Sequence, residues 1–131
     1  MSETSKKAPL TLQDIKDAAV RIKPYVTRTP LLREEELDEL LGCRVYFKPE
    51  MLQKTGAFKA RGAFNKVLTL SDEERKKGII FSSSGNHAAA CAYVGKMFGI
   101  NAYAVMPRDT PNGKIENCER RGGTCILWDR D

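Results

Sequence analysis

The chain has 131 residues, of which 41% are hydrophobic and 30% are charged, a composition typical of a globular domain and not of a disordered chain. The formal net charge is +5, yet lysine and arginine are scattered and form no basic run interleaved with aromatic residues, which argues against a nucleic-acid partner. No apolar run approaches the ~18 residues that suggest a membrane span, and the start of the chain is polar, so we expect no membrane association and a cytoplasmic location.

The first half of the chain predicts helices joined by irregular segments. Residues 1–10 are expected to form a flexible tail. Thr11, with Asp14 three residues later, is typical of a capping box that starts a helix over 12–22. The elements predicted between that helix and residue 78 are a short helix over 34–41, a strand over 45–47, a loop over 50–57, a helix over 58–70, and a short helix that begins with the capping box of Ser71 and Glu74.

The second half alternates between short apolar strands and helices. We predict strands over 79–83, 101–106 and 124–127, and helices over 87–98 and 113–121. This β-α-β-α-β order with short links predicts an α/β fold with a small three-stranded parallel sheet unit at about 79–128. We therefore divide the chain into a helical segment, 11–77, that belongs to a larger domain, and a small α/β domain, 78–131, that is expected to be incomplete.

The turn from Ser82 to His87 is the first candidate binding site. It lies between the apolar run 79–81 and the small-residue helix that follows, at the carboxyl end of a predicted parallel strand. The free N–H groups of a first helical turn, and the positive end of the helix dipole, favour an anionic ligand there. Serine and asparagine side chains add further donors. The turn therefore predicts a site for a carboxylate or a phosphate.

Lys59 is the second candidate. It lies at the start of a predicted, mostly apolar helix, beside Phe58 and small residues. Partial desolvation would lower the pKa of its amine and make it a nucleophile for Schiff-base formation or a proton-transfer group. On composition alone, a surface lysine at a helix start is the simpler interpretation.

The cysteines and the single histidine predict no metal site. No pair among Cys43, Cys91, Cys118 and Cys125 has CxxC spacing, and His87 is the only histidine. Cys91, in a small-residue helix, and Cys125, in an apolar strand, are expected to be buried, reduced thiols.

Taken together, the lysine segment and the serine-rich turn resemble the β-family, or fold-type II, of pyridoxal phosphate (PLP) enzymes. Within that family the similarity is greatest to the serine racemases and the serine/threonine dehydratases, and it runs from about Ile15 to the end of the chain. The residues that carry it are Thr29-Pro30-Leu31, Lys48-Pro49-Glu50, Gln53-Lys54-Thr55-Gly56-Ala57-Phe58-Lys59, Arg61-Gly62-Ala63, Gly85-Asn86-His87, Pro111 and Lys114. Several blocks in this order are much more specific than a lone glycine motif.

The resemblance implies a role for each matched residue. Lys59 would bind PLP as a Schiff base and exchange the α-proton on one face of the substrate, and Phe58 would pack near the cofactor ring. Asn86 would hydrogen-bond the phenolic oxygen of PLP, while Ser83, Ser84, Asn86 and His87 would receive the substrate carboxylate. Lys54 and Thr55 match positions that contact ATP in some racemases.

Ser84 bears on the choice of reaction. Racemisation needs one proton-transfer group on each face of the α-carbon, and the resemblance implies Lys59 and Ser84 as that pair. The alternative is that Ser84 only donates a hydrogen bond to the carboxylate, because a free serine hydroxyl is a weak acid and a weak base.

The implied function is PLP-dependent racemisation or dehydration (ammonia-lyase activity) of L-serine or a related β-hydroxy amino acid, with threonine dehydratase as an alternative. A full-length form would be a homodimer, with a divalent cation and ATP as further ligands.

The family's glycine-rich phosphate loop and cation-binding carboxylates are not found in these residues. A different class of function therefore stays open, namely a truncated, non-catalytic α/β module that binds small anions or pairs with a full-length homologue. An unrelated nucleotide-binding domain is disfavoured because GxGxxG and Walker motifs are absent.

Overall fold

The computed structural model describes residues 9–129, so most of the predicted tail over 1–10 lies outside the described residues. The described part contains six helices and three strands. The helices are α1 (Leu12–Ile22), α2 (Glu35–Leu41), α3 (Lys59–Leu68), α4 (Asp72–Lys77), α5 (Asn86–Phe98) and α6 (Asn112–Glu119), and the strands are β1 (Ile79–Ser82), β2 (Ala102–Pro107) and β3 (Thr124–Trp128). The α/β class is confirmed, and the predicted bounds differ from these by at most two residues, except in the segments described below.

Local hydrogen bonds fix the starts of two helices as predicted. Asp14 N–H donates to Thr11 Oγ1 at 3.2 Å, and Thr11 N–H donates back to Asp14 Oδ2 at 2.8 Å. Ser71 and Glu74 make the same reciprocal pair at the start of α4. Each pair satisfies two N–H groups that the helix leaves without a partner.

The predicted strand over 45–47 is wrong. Only one antiparallel bridge forms there, in which Leu32 and Phe47 exchange backbone hydrogen bonds of 2.9 and 2.8 Å. Pro30 and Pro49 flank the bridge, and because proline has no N–H, the ladder does not extend past them. The predicted loop over 50–57 contains two short 3₁₀ turns, Glu50–Leu52 and Lys54–Gly56.

The sheet is parallel throughout, as predicted, with the strand order β1-β2-β3. Both α5 and α6 pack on one face, where Ala104 and Met106 of β2 are fully buried. On the other face Ile80 and Trp128 are 71% and 62% exposed, so the described residues leave that face uncovered.

A second core cluster joins the two halves of the chain. Phe64 and Val67 of α3 pack with Ala90 and Val94 of α5, and Ile22 at the end of α1 completes the cluster. The division at residue 78 stays a prediction, and this shared core fixes the helix that begins at Lys59 against the helix that follows the serine-rich turn.

Gly95 allows α5 to lie close to the sheet. A Cβ atom at this position would lie 2.8 Å from the Ile100 carbonyl oxygen and 2.9 Å from Ala102 Cβ. We expect Gly95→Ala to lower the free energy of unfolding by about 1–3 kcal/mol, because the backbone at Ile100 cannot move away from the added methyl group without an energetic cost. Chemical denaturation measures this. Gly113→Ala in α6, where a Cβ meets nothing within 4 Å, is the control and should be neutral or stabilising. Equal effects of the two substitutions would contradict this account of the packing.

Candidate active site

The turn between β1 and α5 presents uncapped backbone donors at the carboxyl end of a strand. Gly85 is the N-cap residue of α5, and no side chain accepts a hydrogen bond from the first helical turn. Within the turn, Gly85 N–H donates to Ser83 Oγ at 3.2 Å. The N–H groups that begin at Asn86 therefore keep their capacity to bind an anion. Ser83 and Ser84 are half-buried beside them.

Lys59 begins α3 and is exposed in the chain alone. Its Nζ lies 4.9 Å from the centre of the Phe58 ring, a cation–π contact, and Phe58 itself is 57% exposed. Within the described residues Lys59 is therefore a surface lysine at a helix start, the simpler of the two interpretations of its sequence. The amine is accessible and forms no ion pair with any carboxylate of residues 9–129.

An arginine fork anchors the first turn of α3. Arg61 Nε and Nη2 donate to Glu50 Oε2 and Oε1 at 2.8 and 2.7 Å, and Thr29 Oγ1 donates to Glu50 Oε1 at 2.6 Å. Thr29 is buried. The Arg61 hydrogen bonds and then the Thr29 hydrogen bond lower the pKa of Glu50 to about 2, against the cost of burial. Arg61 is two residues from Lys59, so this network fixes where the lysine-bearing turn begins.

Gln53 ties the same loop to the segment after α1. Thr27 N–H donates to Gln53 Oε1 at 2.9 Å, and Gln53 Nε2 donates to the Thr27 carbonyl oxygen at 2.7 Å. The amide also accepts the Lys54 N–H at 2.9 Å, and Gln53 is buried. Several residues that carry the family resemblance are thus scaffold, a role that the sequence did not reveal because their partners are 11 to 34 positions away.

The Glu50 carboxylate makes stability depend on pH in a defined direction. Its folded pKa of about 2 lies below the ordinary 4.5, so its contribution is fully present above about pH 4.5 and is lost as the pH falls towards 2. Glu50→Gln removes this titration. We expect the stability advantage of the parent protein over this variant to shrink by about 2 kcal/mol as the pH falls from about 4.5 to 2. Denaturant unfolding at several pH values measures it. Glu116→Gln, an exposed carboxyl on α6, is the control, and an equal pH effect there would contradict the assignment.

The ring of His87 contacts apolar groups. It meets the Phe81 ring edge-on with centroids 5.8 Å apart, and Cys91 Sγ lies 3.6 and 3.7 Å from its two nitrogens. Burial raises the pKa of the Cys91 thiol to about 11, consistent with the buried thiol predicted there. Cys125 is half-buried. The His87 residue contributes its backbone N–H to the first turn of α5, whereas its ring packs against its neighbours.

Thr55 has the only positive φ among the non-glycine residues described, at 64°. This is an unfavourable conformation for a β-branched residue, and the Thr55 hydroxyl is buried without a hydrogen-bond partner in the described residues. Lys54 beside it is exposed. The 3₁₀ turn that holds both residues contacts α5, so the segments that start at Lys59 and at Asn86 belong to one packed unit.

Two further sequence predictions concern metals and membranes. Within residues 9–129, no three side chains of histidine, cysteine, aspartate or glutamate converge as metal ligands. In the same range, no helix is both long and apolar enough to span a membrane.

The helix α3, which begins at Lys59, and the uncapped helix α5 pack in one unit, and α5 follows the carboxyl end of a parallel strand, where α/β proteins commonly bind ligands. A model of the pyridoxal-phosphate dependent enzyme family matches residues 22–131. The chain therefore belongs to the family of pyridoxal-phosphate dependent enzymes, as the sequence motifs predicted.

Individual relatives agree with that assignment. The chain is 47% identical over 117 residues to a serine racemase of Oryza sativa, covering 89% of the chain and 34% of the relative. It is 48% identical over 118 residues to an L-threonine ammonia-lyase of Thermotoga maritima, covering 90% and 29%. The crystal structure of serine racemase from Dictyostelium discoideum superposes with a TM-score of 0.90 at 42% identity, covering 95% of the chain and 40% of that protein. The chain thus spans about a third of the length of its curated relatives and matches their N-terminal part.

Proposed function

We propose that this chain forms the lysine-bearing part of a PLP-dependent enzyme that racemises or dehydrates L-serine or a related β-hydroxy amino acid. The observation that carries the proposal is the packing of α3, whose first residue is the accessible Lys59, against the uncapped helix α5. Relatives named as serine racemases and as an L-threonine ammonia-lyase support the reaction class.

The residues present fit the amino-acid and lysine side of a PLP site. When bound, PLP supplies an electron-withdrawing ring that acidifies the α-proton of an attached amino acid. In our proposal Lys59 Nζ holds the cofactor and takes or returns the α-proton, with Phe58 beside the ring. Asn86 orients the cofactor ring by a hydrogen bond to the phenolic oxygen of PLP. Because Lys59 is exposed, PLP has room to approach its amine.

The turn binds the substrate carboxylate in this proposal. In the proposal, the N–H groups at the start of α5, including that of His87, and the side chains of Ser83, Ser84 and Asn86 donate hydrogen bonds to the carboxylate; the uncapped start of α5 supports this. Ser84 Oγ is the proton-transfer group on the face opposite Lys59. Fixed donors orient the α-carbon so that the same two groups act in every turnover.

Further assignments concern a full-length form. We propose a cytoplasmic homodimer in which the remaining two thirds of the enzyme anchor the cofactor phosphate. Following the family resemblance, ATP at Lys54 and Thr55 and a divalent cation held by later carboxylates would be additional ligands. The buried, unpartnered Thr55 hydroxyl is compatible with a hydrogen bond to a group outside residues 9–129.

A second candidate function is a non-catalytic module that pairs with a full-length homologue. The uncovered face of the sheet favours it, because parallel sheets are normally covered on both faces and Ile80 and Trp128 are exposed there.

An assay with L-serine separates the two candidates. The chain is incubated with PLP and L-serine, alone and together with the C-terminal part of the Dictyostelium relative, and D-serine, pyruvate and ammonia are measured. Products that depend on Lys59 support the enzyme. PLP bound at Lys59 without any product under either condition supports the non-catalytic module.

A further inference from the structure

A second candidate site lies between the end of α1 and the first turn of α3. An open cavity of about 320 Å³ is lined there by Ala19, Ile22, Lys23, Val26, Arg28, Lys48 and Arg61. Four of these seven residues are cationic and none is acidic. Such a volume is at the lower end of the range for small-molecule sites.

The positive charge around this cavity is only partly compensated. Arg61 is paired with Glu50, whose low pKa keeps the carboxylate ionised. Lys48 Nζ donates to the Thr29 carbonyl oxygen at 2.7 Å, and its charge also contributes to the low pKa of Glu50, so Glu50 compensates part of this charge as well. In residues 9–129, neither Lys23, Arg28 nor Lys48 forms an ion pair with a carboxylate. Like charges gathered around one concavity repel each other, and an anion relieves that repulsion.

Part of the cationic lining is held in place before any ligand arrives. The guanidinium of Arg61 is fixed by Glu50, by the Thr27 carbonyl oxygen and by Thr29 Oγ1, the last two at 3.3 Å. The ammonium group of Lys48 is held in the same way by its hydrogen bond to the Thr29 carbonyl oxygen. Groups that are already ordered lose less conformational entropy when they bind a ligand.

The cavity is separate from the proposed PLP site. Residues two positions apart in an α-helix project about 200° apart around its axis, so Arg61 and Lys59 point to opposite sides of α3. An anion bound in this cavity would therefore differ from the carboxylate that we propose at the turn and from the phosphate of a cofactor on Lys59.

We infer that this cavity binds a small organic anion whose oxyanion group meets Arg28, Lys23 and Lys48 and whose short apolar body lies on Ala19, Ile22 and Val26. The inference does not depend on the proposed reaction.

Titration followed by amide NMR tests the inference with three probes at low ionic strength. They are inorganic phosphate, 3-methylbutanoate, and uncharged 3-methylbutan-1-ol, all added to the full chain. We expect both anions to cause saturable shifts of the amide signals of residues 19–28 and of Arg61. We expect 3-methylbutanoate to bind more tightly than phosphate, and the alcohol to cause no shifts. Equal binding of phosphate and 3-methylbutanoate would contradict the apolar part of the site, and non-saturating shifts at all basic residues would show charge screening only.

Two variants complete the test. Arg28→Gln removes an exposed cation for which no hydrogen bond is found in residues 9–129, so the fold should survive, and binding of 3-methylbutanoate should weaken about fivefold. Arg44→Gln removes an exposed cation outside the cavity and should leave binding unchanged. Equal effects of the two substitutions, or no effect of Arg28→Gln, would overturn the inference.

Discussion

Replacing Lys59 with alanine should abolish the visible absorbance band that appears when PLP is added to the protein. The band requires a covalent link between the cofactor and an amine, and in our proposal that amine is the accessible Nζ of Lys59 at the start of α3. Absorbance spectra of the two proteins at matched PLP concentration measure the loss. We expect a complete loss, because the proposal assigns this link to Lys59 alone.

Lys76→Ala is the matched control for that experiment. Lys76 is also exposed but lies on α4, a different helix from the one that begins at Lys59. The band should persist in this variant with unchanged intensity. A band that survives in Lys59→Ala, or that falls equally in both variants, would show that PLP reacts with surface lysines without a site.

Replacing Ser84 with alanine should separate the two proposed reactions. Removal of the α-proton by Lys59 is common to both, whereas delivery of a proton to the opposite face is needed only for racemisation. We expect formation of D-serine to fall about 100-fold and formation of pyruvate to change far less. A chiral assay of serine, combined with a pyruvate assay on the reconstituted or full-length enzyme, measures both rates.

The neighbouring serine provides the comparison for Ser84. Ser83 Oγ accepts a hydrogen bond from Gly85 N–H, so its loss perturbs the shape of the turn. Ser83→Ala should therefore lower both rates by a similar factor. Undiminished racemisation in Ser84→Ala would limit Ser84 to hydrogen bonding of the carboxylate and would remove it as a proton-transfer group.

Features set by neighbouring residues were predicted from the sequence. The capping boxes of Thr11 and Ser71 depend on side chains three positions away, and the alternation of apolar strands and helices after Gly78 is a local pattern. The parallel sheet followed from that order, because short links allow only a few topologies. The strand predicted at 45–47 failed because its partner, Leu32, is distant and lies beside Pro30.

Features set by tertiary contacts were not predicted. The ion pair between Arg61 and Glu50 and the hydrogen bonds between Gln53 and Thr27 join residues whose spacing follows no helix or strand period. The direction of the His87 ring depends in part on Phe81, which contacts it only after α5 packs on β1, whereas Cys91 is one turn away in α5 itself. These contacts decide which side chains around the candidate site are free to bind a ligand, so the sequence indicates a candidate site without specifying its geometry.

The central claim is that Lys59 and the start of α5 together form the amino-acid side of a PLP site. The most direct measurement is reduction of the PLP-treated protein with borohydride, followed by mass-spectrometric mapping of the modified lysine. Our account predicts that the adduct forms on Lys59, and that L-serine, which competes for the cofactor at the turn, lowers its yield. A label spread over Lys54, Lys66 and other exposed lysines, unaffected by L-serine, would contradict it.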